Sequence, residues 1–202
     1  NAFGTGLLAS MFYFTYGLPN LFRRLFGEGA LSAALVPSVV HRREEAGDAE
    51  AWRLGAGVIW VTTLLLGGLV VGLVILAELL LPWAPSEKVR IVLSLSRIVF
   101  PYMVFICIAA LLMGLLQSIR RFGVPAAVPI LLNVTWIIAI PGLAPYFRGD
   151  PEGHLHAIGA SIVLAGVLQL AVQVPPLYRS GFRFRFDPAW RDPQVRGVVV
   201  LA

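Results

Sequence analysis

The chain has 202 residues, 58% of them hydrophobic and only 13% charged, with a mean hydropathy of +0.81. Soluble domains carry about twice that share of charge. A disordered chain, a disulfide-rich secreted domain and an ordinary soluble globule are therefore excluded, and a membrane protein of several spans remains. The net charge of +5 reads as a bias between loops rather than a nucleic-acid surface.

Uncharged stretches set the order of elements. They cover residues 2–22, 29–40, 54–77, 98–119, 122–147 and 157–178. A transmembrane helix needs about 20 apolar residues, so all but 29–40 are long enough. That short stretch joins the one before it in a single interrupted element, 5–41. A straight helix of that length would rise about 55 Å, against a hydrocarbon core of about 30 Å, so the element must break, tilt or project. Pro19 removes a backbone donor and disfavours helix at Leu18, which predicts a kink near residues 17–20. The further spans are 51–81, 87–119, 124–146 and 154–178, and another begins near 194. Pro82 with Pro85, Asp150 with Pro151, and Pro175 with Pro176 mark the turns. The architecture expected is all-α, a polytopic transmembrane helix bundle. The apolar run 198–202 at the end of the sequence reads as the opening of that next span, and the sequence as a piece of a longer chain.

Basic residues orient the bundle. Arg42, Arg43 and Arg53 fall in loop 42–53, Arg120 and Arg121 in loop 120–123, and Arg179, Arg183, Arg185 and Arg191 in segment 179–193, with Arg196 just beyond. The opposite loops hold only Lys88, Arg90 and Arg148. The positive-inside rule makes the first set cytoplasmic. The alternation of Arg and Phe over 179–191 follows a span directly. It is therefore expected to lie against anionic headgroups of membrane lipids rather than to bind nucleic acid.

Arg23, Arg24 and Glu28 are the informative charges, because an arginine at membrane depth costs about 3 kcal/mol on insertion scales. Two readings stand. The three side chains snorkel to an interface, or they face a water-filled cavity and bind an anion. In the second reading the planar, permanently charged arginine fork suits a diphosphate, and Glu28 orients it. Arg97 either ends near the outer interface or enters the cavity, and Glu78 sits near the outer end of its span. Gln117, Asn133 and Gln169 are polar residues within spans, expected to make interhelical hydrogen bonds. Cys107 reads as a small packed hydrophobe. His41, His154 and His156 share no metal-ligand spacing, and no nucleophile–base pattern or phosphate loop stands out. An enzyme is not expected, nor is a cofactor.

The run Leu18-Pro19-Asn20-Leu21-Phe22-Arg23-Arg24-Leu25-Phe26-Gly27-Glu28-Gly29-Ala30-Leu31-Ser32, closing with Val36-Pro37, closely resembles the signature of the MurJ (MviN) lipid II flippases. These belong to the multidrug/oligosaccharidyl-lipid/polysaccharide exporter superfamily. Phe100-Pro101-Tyr102, Arg121-Phe122 with Pro125, Pro129-Ile130-Leu131-Leu132-Asn133, and Gly166-Val167-Leu168-Gln169-Leu170 with Gln173 and Pro175 are similar in place and order. The resemblance implies part of the N-terminal lobe of a two-lobe exporter-type flippase. The partners it implies are the missing C-terminal lobe and the undecaprenyl-diphosphate-linked peptidoglycan precursor, moved from the inner to the outer leaflet of the bacterial plasma membrane. Arg23 matches the family's cavity arginine, expected to meet the diphosphate, and Arg24 and Glu28 match its neighbours. Ser10 stands where the family usually has Asp, which removes an expected partner of the cavity arginines. The alternatives are an exporter of another polyprenyl-linked oligosaccharide or of a drug, and a non-transporting membrane scaffold.

Overall fold

The computed structural model describes residues 6–27 and 30–184, together with Val195 and Gly197. Its helices are α1 (Leu7–Gly27), α2 (Ala30–Ala46), α3 (Asp48–Leu80), α4 (Glu87–Val99), α5 (Pro101–Ser118), α6 (Gly123–Leu143) and α7 (Pro151–Arg179). Short 3-10 turns follow α3 and α6. Among the described residues, four helical stretches are long and apolar enough to cross a membrane: Asp48–Trp83, Glu87–Ser118, Gly123–Phe147 and Pro151–Arg179. Helix α1 is not among them, because Asn20, Arg23 and Arg24 crowd its last two turns. The element expected to be interrupted, 5–41, is described as two helices, α1 and α2, and α1 runs as helix through the expected kink region, residues 17–20. Pro19 is buried inside a continuous α1, at the cost of the one hydrogen bond its missing N–H would make. Residues 28 and 29, between α1 and α2, are outside the described set.

Local chemistry explains the turns. Gly47, at φ +85°, takes the chain from α2 into α3 in a conformation that costs a residue with a Cβ. The Ser86 hydroxyl accepts from the Val89 N–H and caps α4. The Asp150 carboxylate accepts from the Gly153 N–H at 2.9 Å, with Pro151 in the first turn of α7. Helices α5 and α7 end alike. In α5 the Arg121 N–H donates to the Leu116 carbonyl and the Arg120 N–H to that of Gln117. In α7 Phe182 and Gly181 do the same toward Leu177 and Tyr178. These are Schellman closures, whose left-handed position normally falls to glycine. Gly181 fills it at φ +90°, but in α5 the residue is Arg120, at φ +59°.

Two apolar clusters hold the bundle. One joins Leu31, Leu35 and Val39 of α2, spaced one helical turn apart, to Trp52, Leu54 and Val58 of α3, Leu111, Leu112, Leu115 and Leu116 of α5, and Phe182. The other joins Met11 and Phe12 of α1, Leu66 and Val70 of α3, Leu95 and Val99 of α4, Tyr102 and Ile106 of α5, and Leu155 and Ile162 of α7. Cys107 is fully buried in the second cluster, as a packed hydrophobe. Gly159 and Gly166 bring α7 close to its neighbours. A Cβ on Gly166 would stand 2.9 Å from the Tyr102 ring and 3.0 Å from the Phe105 Cβ.

The ends of the bundle differ in chemistry. At one end lie the turns after α3 and α6, carrying Trp83 and Tyr146, each 83% exposed, as interfacial aromatics do. Near that end Arg90 of α4 bonds both Glu87 and Glu152 of α7, and the Arg97 guanidinium donates to Glu78 at 2.6 Å. Arg97 thus pairs with Glu78, the acid that ends the preceding span, and does not line the internal cavity. At the other end the α2–α3 and α5–α6 turns and the end of α7 come together, bringing Arg43, Arg120, Arg121 and Ser180 around one cleft.

Candidate functional site

Tyr16, Asn20 and Arg23 recur at the spacing of one helix face, so α1 presents a ring, an amide and a guanidinium in a row. They open onto a cavity of about 340 Å³. Helix α5 contributes Tyr102, Ile106, Ala109, Ala110 and Met113; α6 contributes Val128, Pro129, Leu132 and Asn133; α7 contributes Gln169. The α5 residues run from one apolar cluster toward the other, and the small side chains of Ala109 and Ala110 leave the space between them.

The Arg23 Nε–H donates to the Asn20 Oδ1 at 3.1 Å, which holds the guanidinium along the cavity wall. Tyr16 stacks on Tyr102, with ring centroids 6.1 Å apart, and meets Trp136 edge-on at 5.5 Å. These rings pin the α1 face against α5 and α6. On the opposite wall the Gln169 Nε2 donates to the Val128 carbonyl at 3.0 Å, and Gln173 Nε2 to the Gln169 carbonyl at 2.9 Å. The side-chain oxygens of both glutamines are buried without a hydrogen-bonding partner. A buried acceptor left this way is costly, and that of Gln169, which lines the cavity, gives its wall unused polar capacity.

The predicted site residues part company here. Arg23 is half-buried and lines the cavity. Arg24, one position on, is exposed on the face of α1 that also carries Leu21 and Leu25. Glu28 lies outside the described residues. Asn20, Asn133 and Gln169 join Arg23 at the cavity. For Asn133 and Gln169, hydropathy alone reads as interhelical bonding, and among the described residues Gln169 makes such a bond while Asn133 does not. Their sequence signal is an amide on the helix face that turns inward, legible only once the helix phases are set. Ser10 is exposed on α1. Thirteen residues of helix separate it from Arg23, about 20 Å of rise. A carboxylate at that position would not reach the guanidinium in this arrangement, so its absence does not strip Arg23 of a partner.

The arrangement suits one task. A guanidinium cannot lose its proton, and at partial burial it binds an anion through paired N–H donors. The apolar side chains around it lower the local dielectric and strengthen that attraction. Among the described residues no cluster of His, Cys, Asp and Glu is placed to hold a metal ion.

Fold and cavity together define a polytopic membrane helix bundle with an internal, arginine-bearing polar site. The chain belongs to the MurJ lipid II flippase family, whose model, described as Lipid II flippase MurJ, matches residues 1–202. The chain is 34% identical over 208 residues to the probable lipid II flippase MurJ of Rhizobium tropici, which covers all of this chain and 39% of the relative. It is 35% identical to that of Haemophilus influenzae, over 95% of this chain and 39% of the relative. It is 32% identical to the lipid II flippase MurJ of Burkholderia cenocepacia, over 87% of this chain and 34% of the relative. The chain thus spans about two fifths of the length of these relatives. The family is one of transporters rather than enzymes.

Proposed function

We propose that this chain forms part of the N-terminal lobe of a bacterial plasma-membrane flippase. In this reading the complete protein moves undecaprenyl-diphosphate-linked peptidoglycan precursor, lipid II, from the inner to the outer leaflet by alternating access. The observation that carries the reading is Arg23. It stands on a cavity at the inner face of the bundle, held by Asn20 and flanked by apolar walls. A lipid diphosphate has the charge and the paired oxygens that such a fork recognises. The cavity is the anchor for the headgroup, and the polyprenyl tail stays in the bilayer. Alternating access needs a second lobe against which this one moves, and the length of the relatives leaves ample chain for it. In this reading exposed Arg24 adds positive charge beside Arg23, and Glu28 keeps the role its place in the motif suggests, orienting an arginine rather than meeting the diphosphate. No bond is made or broken. Loops 42–53, 120–123 and 179–193 face the cytoplasm, by the excess of arginine they carry.

The test is replacement of Arg23 in the full-length protein, with lipid II measured at the outer leaflet. Arg23→Ala is expected to lower its appearance at least tenfold, the effect of about 1.4 kcal/mol of lost charge-assisted hydrogen bonding. Arg23→Lys, which keeps the charge but not the fork, is expected to recover it only in part. Undiminished appearance of lipid II in Arg23→Ala overturns the reading.

A further inference from the structure

Beside the internal cavity the bundle has a second basic recess, at the end where the α2–α3 turn, the α5–α6 turn and the end of α7 converge. It is a shallow, open recess of about 430 Å³, lined by Arg43, Asp48, Trp52, Ser118, Arg120 and Arg121, with Ser180 at its edge. Three guanidinium groups face one carboxylate. Asp48 is already engaged, 2.6 Å from the Arg43 Nε. Arg43 is further held by the Ser118 carbonyl at 3.2 Å and by the Trp52 ring, 4.8 Å beneath its guanidinium carbon. Its Nη2 is nonetheless buried without an acceptor. Of the other acids of this end, Glu45 pairs with His41 and Glu50 with Arg42 and Arg53, while Glu44 is exposed on α2, forms no ion pair among the described residues and does not line the recess. Arg120 and Arg121 form no ion pair among the described residues and are exposed at the mouth.

Arg120 is the unusual member. It holds the left-handed position of the α5 closure, φ +59°, where the matching closure of α7 has glycine. Backbone strain of this kind concentrates at binding sites, and here it places a guanidinium at the rim beside Arg121. The Ser118 and Ser180 hydroxyls donate to the Leu115 and Pro176 carbonyls, so the donors for an incoming anion are the guanidinium groups themselves. Phe122, 59% exposed, follows directly and is the kind of side chain that inserts beside a headgroup layer. We infer that this recess is a binding site for the phosphate of an anionic membrane lipid in the leaflet at the basic end of the bundle, separate from the Arg23 cavity. The inference rests on the proposed orientation, which puts these turns in the headgroup region of the cytoplasmic leaflet. Basic pockets between helices on that side take phosphorylated headgroups.

The experiment titrates the full-length protein in neutral detergent with short-chain phosphatidylglycerol, with phosphatidylcholine and with inorganic phosphate, by calorimetry. Phosphatidylglycerol is expected to bind and phosphatidylcholine not to. The double variant Arg120→Gly with Arg121→Gln is expected to weaken phosphatidylglycerol binding by roughly thirtyfold, the effect of two interfacial arginines. Its unfolding midpoint is expected to stay at or above that of the parent, because glycine suits the left-handed position. Inorganic phosphate that binds and displaces the lipid with the same dependence on Arg120 and Arg121 keeps the phosphate site but makes its ligand a free anion. Equal affinity of parent and double variant, or equal binding of the two lipids, overturns the site. Arg23→Ala separates the two claims: it is expected to lose flipping and keep phosphatidylglycerol binding.

Discussion

Helices α3 and α5 show what hydropathy does and does not say. The apolar windows that contain them are nearly alike, with mean hydropathies of 2.7 and 2.5. Yet only 17% of the α3 window is buried within the bundle, against 61% of the window that α5 shares with α4. Along α3, Leu64, Leu65, Leu69, Val71, Ile75 and Leu76 point outward. Along α5, Leu111, Leu112, Leu115 and Leu116 are fully enclosed. In a membrane both environments are apolar, so composition marks both helices as spans and leaves their roles undistinguished. The difference is made by packing against protein, and by the few polar groups that protein packing can shelter. Helix α5 passes Arg23 and Gln169 on its way through the bundle, whereas α3 lines no part of that cavity.

Substitutions can sharpen this contrast. The largest effect on stability is expected from Leu112→Ala, which leaves a void in fully packed surroundings and costs about 2–5 kcal/mol. Leu65→Ala, on the outward face of α3 where the side chain is 60% exposed, removes far less packing within the protein, and its cost is expected to be well under half as large. Unfolding of the full-length protein in detergent measures both, and equal losses would break the distinction. A smaller effect is expected from Gly166→Ala. The new methyl meets the Tyr102 ring and the Phe105 Cβ, and overpacking of this kind costs about 1–3 kcal/mol. Gly68→Ala on α3 meets nothing within 4 Å and is expected to be neutral or slightly stabilising, since alanine favours helix. A gain is expected from Arg120→Gly, which relieves a left-handed backbone and adds about 1 kcal/mol, seen as a raised unfolding midpoint. A lowered midpoint would mean that the guanidinium contributes more to the fold than its backbone costs.

The sequence made the all-helical bundle and its apolar spans legible because membrane insertion is governed by composition over about 20 residues. It marked Arg23 by cost, since a charge among apolar residues demands a reason. It did not separate Arg23 from Arg24. That separation is about 100° of helix phase, and it follows from whether Tyr16 and Asn20 or Leu21 and Leu25 turn inward. Pro19 shows a related limit: the letters mark a weak point in the backbone but not that helix runs through it. A proline removes one hydrogen bond, and a helix packed on α5 through Tyr16 and α4 through its earlier turns tolerates that loss. Asn133 and Gln169 were visible as polar residues in spans, but an amide that bonds a neighbouring helix and one that lines a cavity look identical in a string of letters. Ser10 illustrates the reverse: a change that looks like a lost partner of Arg23 in one dimension lies about 20 Å of helix away in three.

In the proposed function, lipid II enters the cavity between α1, α5, α6 and α7. The most direct test places a single cysteine at Asn133 in full-length protein otherwise free of cysteine, Cys107 included, and follows labelling by a membrane-impermeant maleimide. The account predicts labelling that lipid II suppresses in the Arg23 protein and no longer suppresses when Arg23 is replaced by Ala. A cysteine at 133 that reacts equally with and without lipid II, in the presence of Arg23, would contradict it.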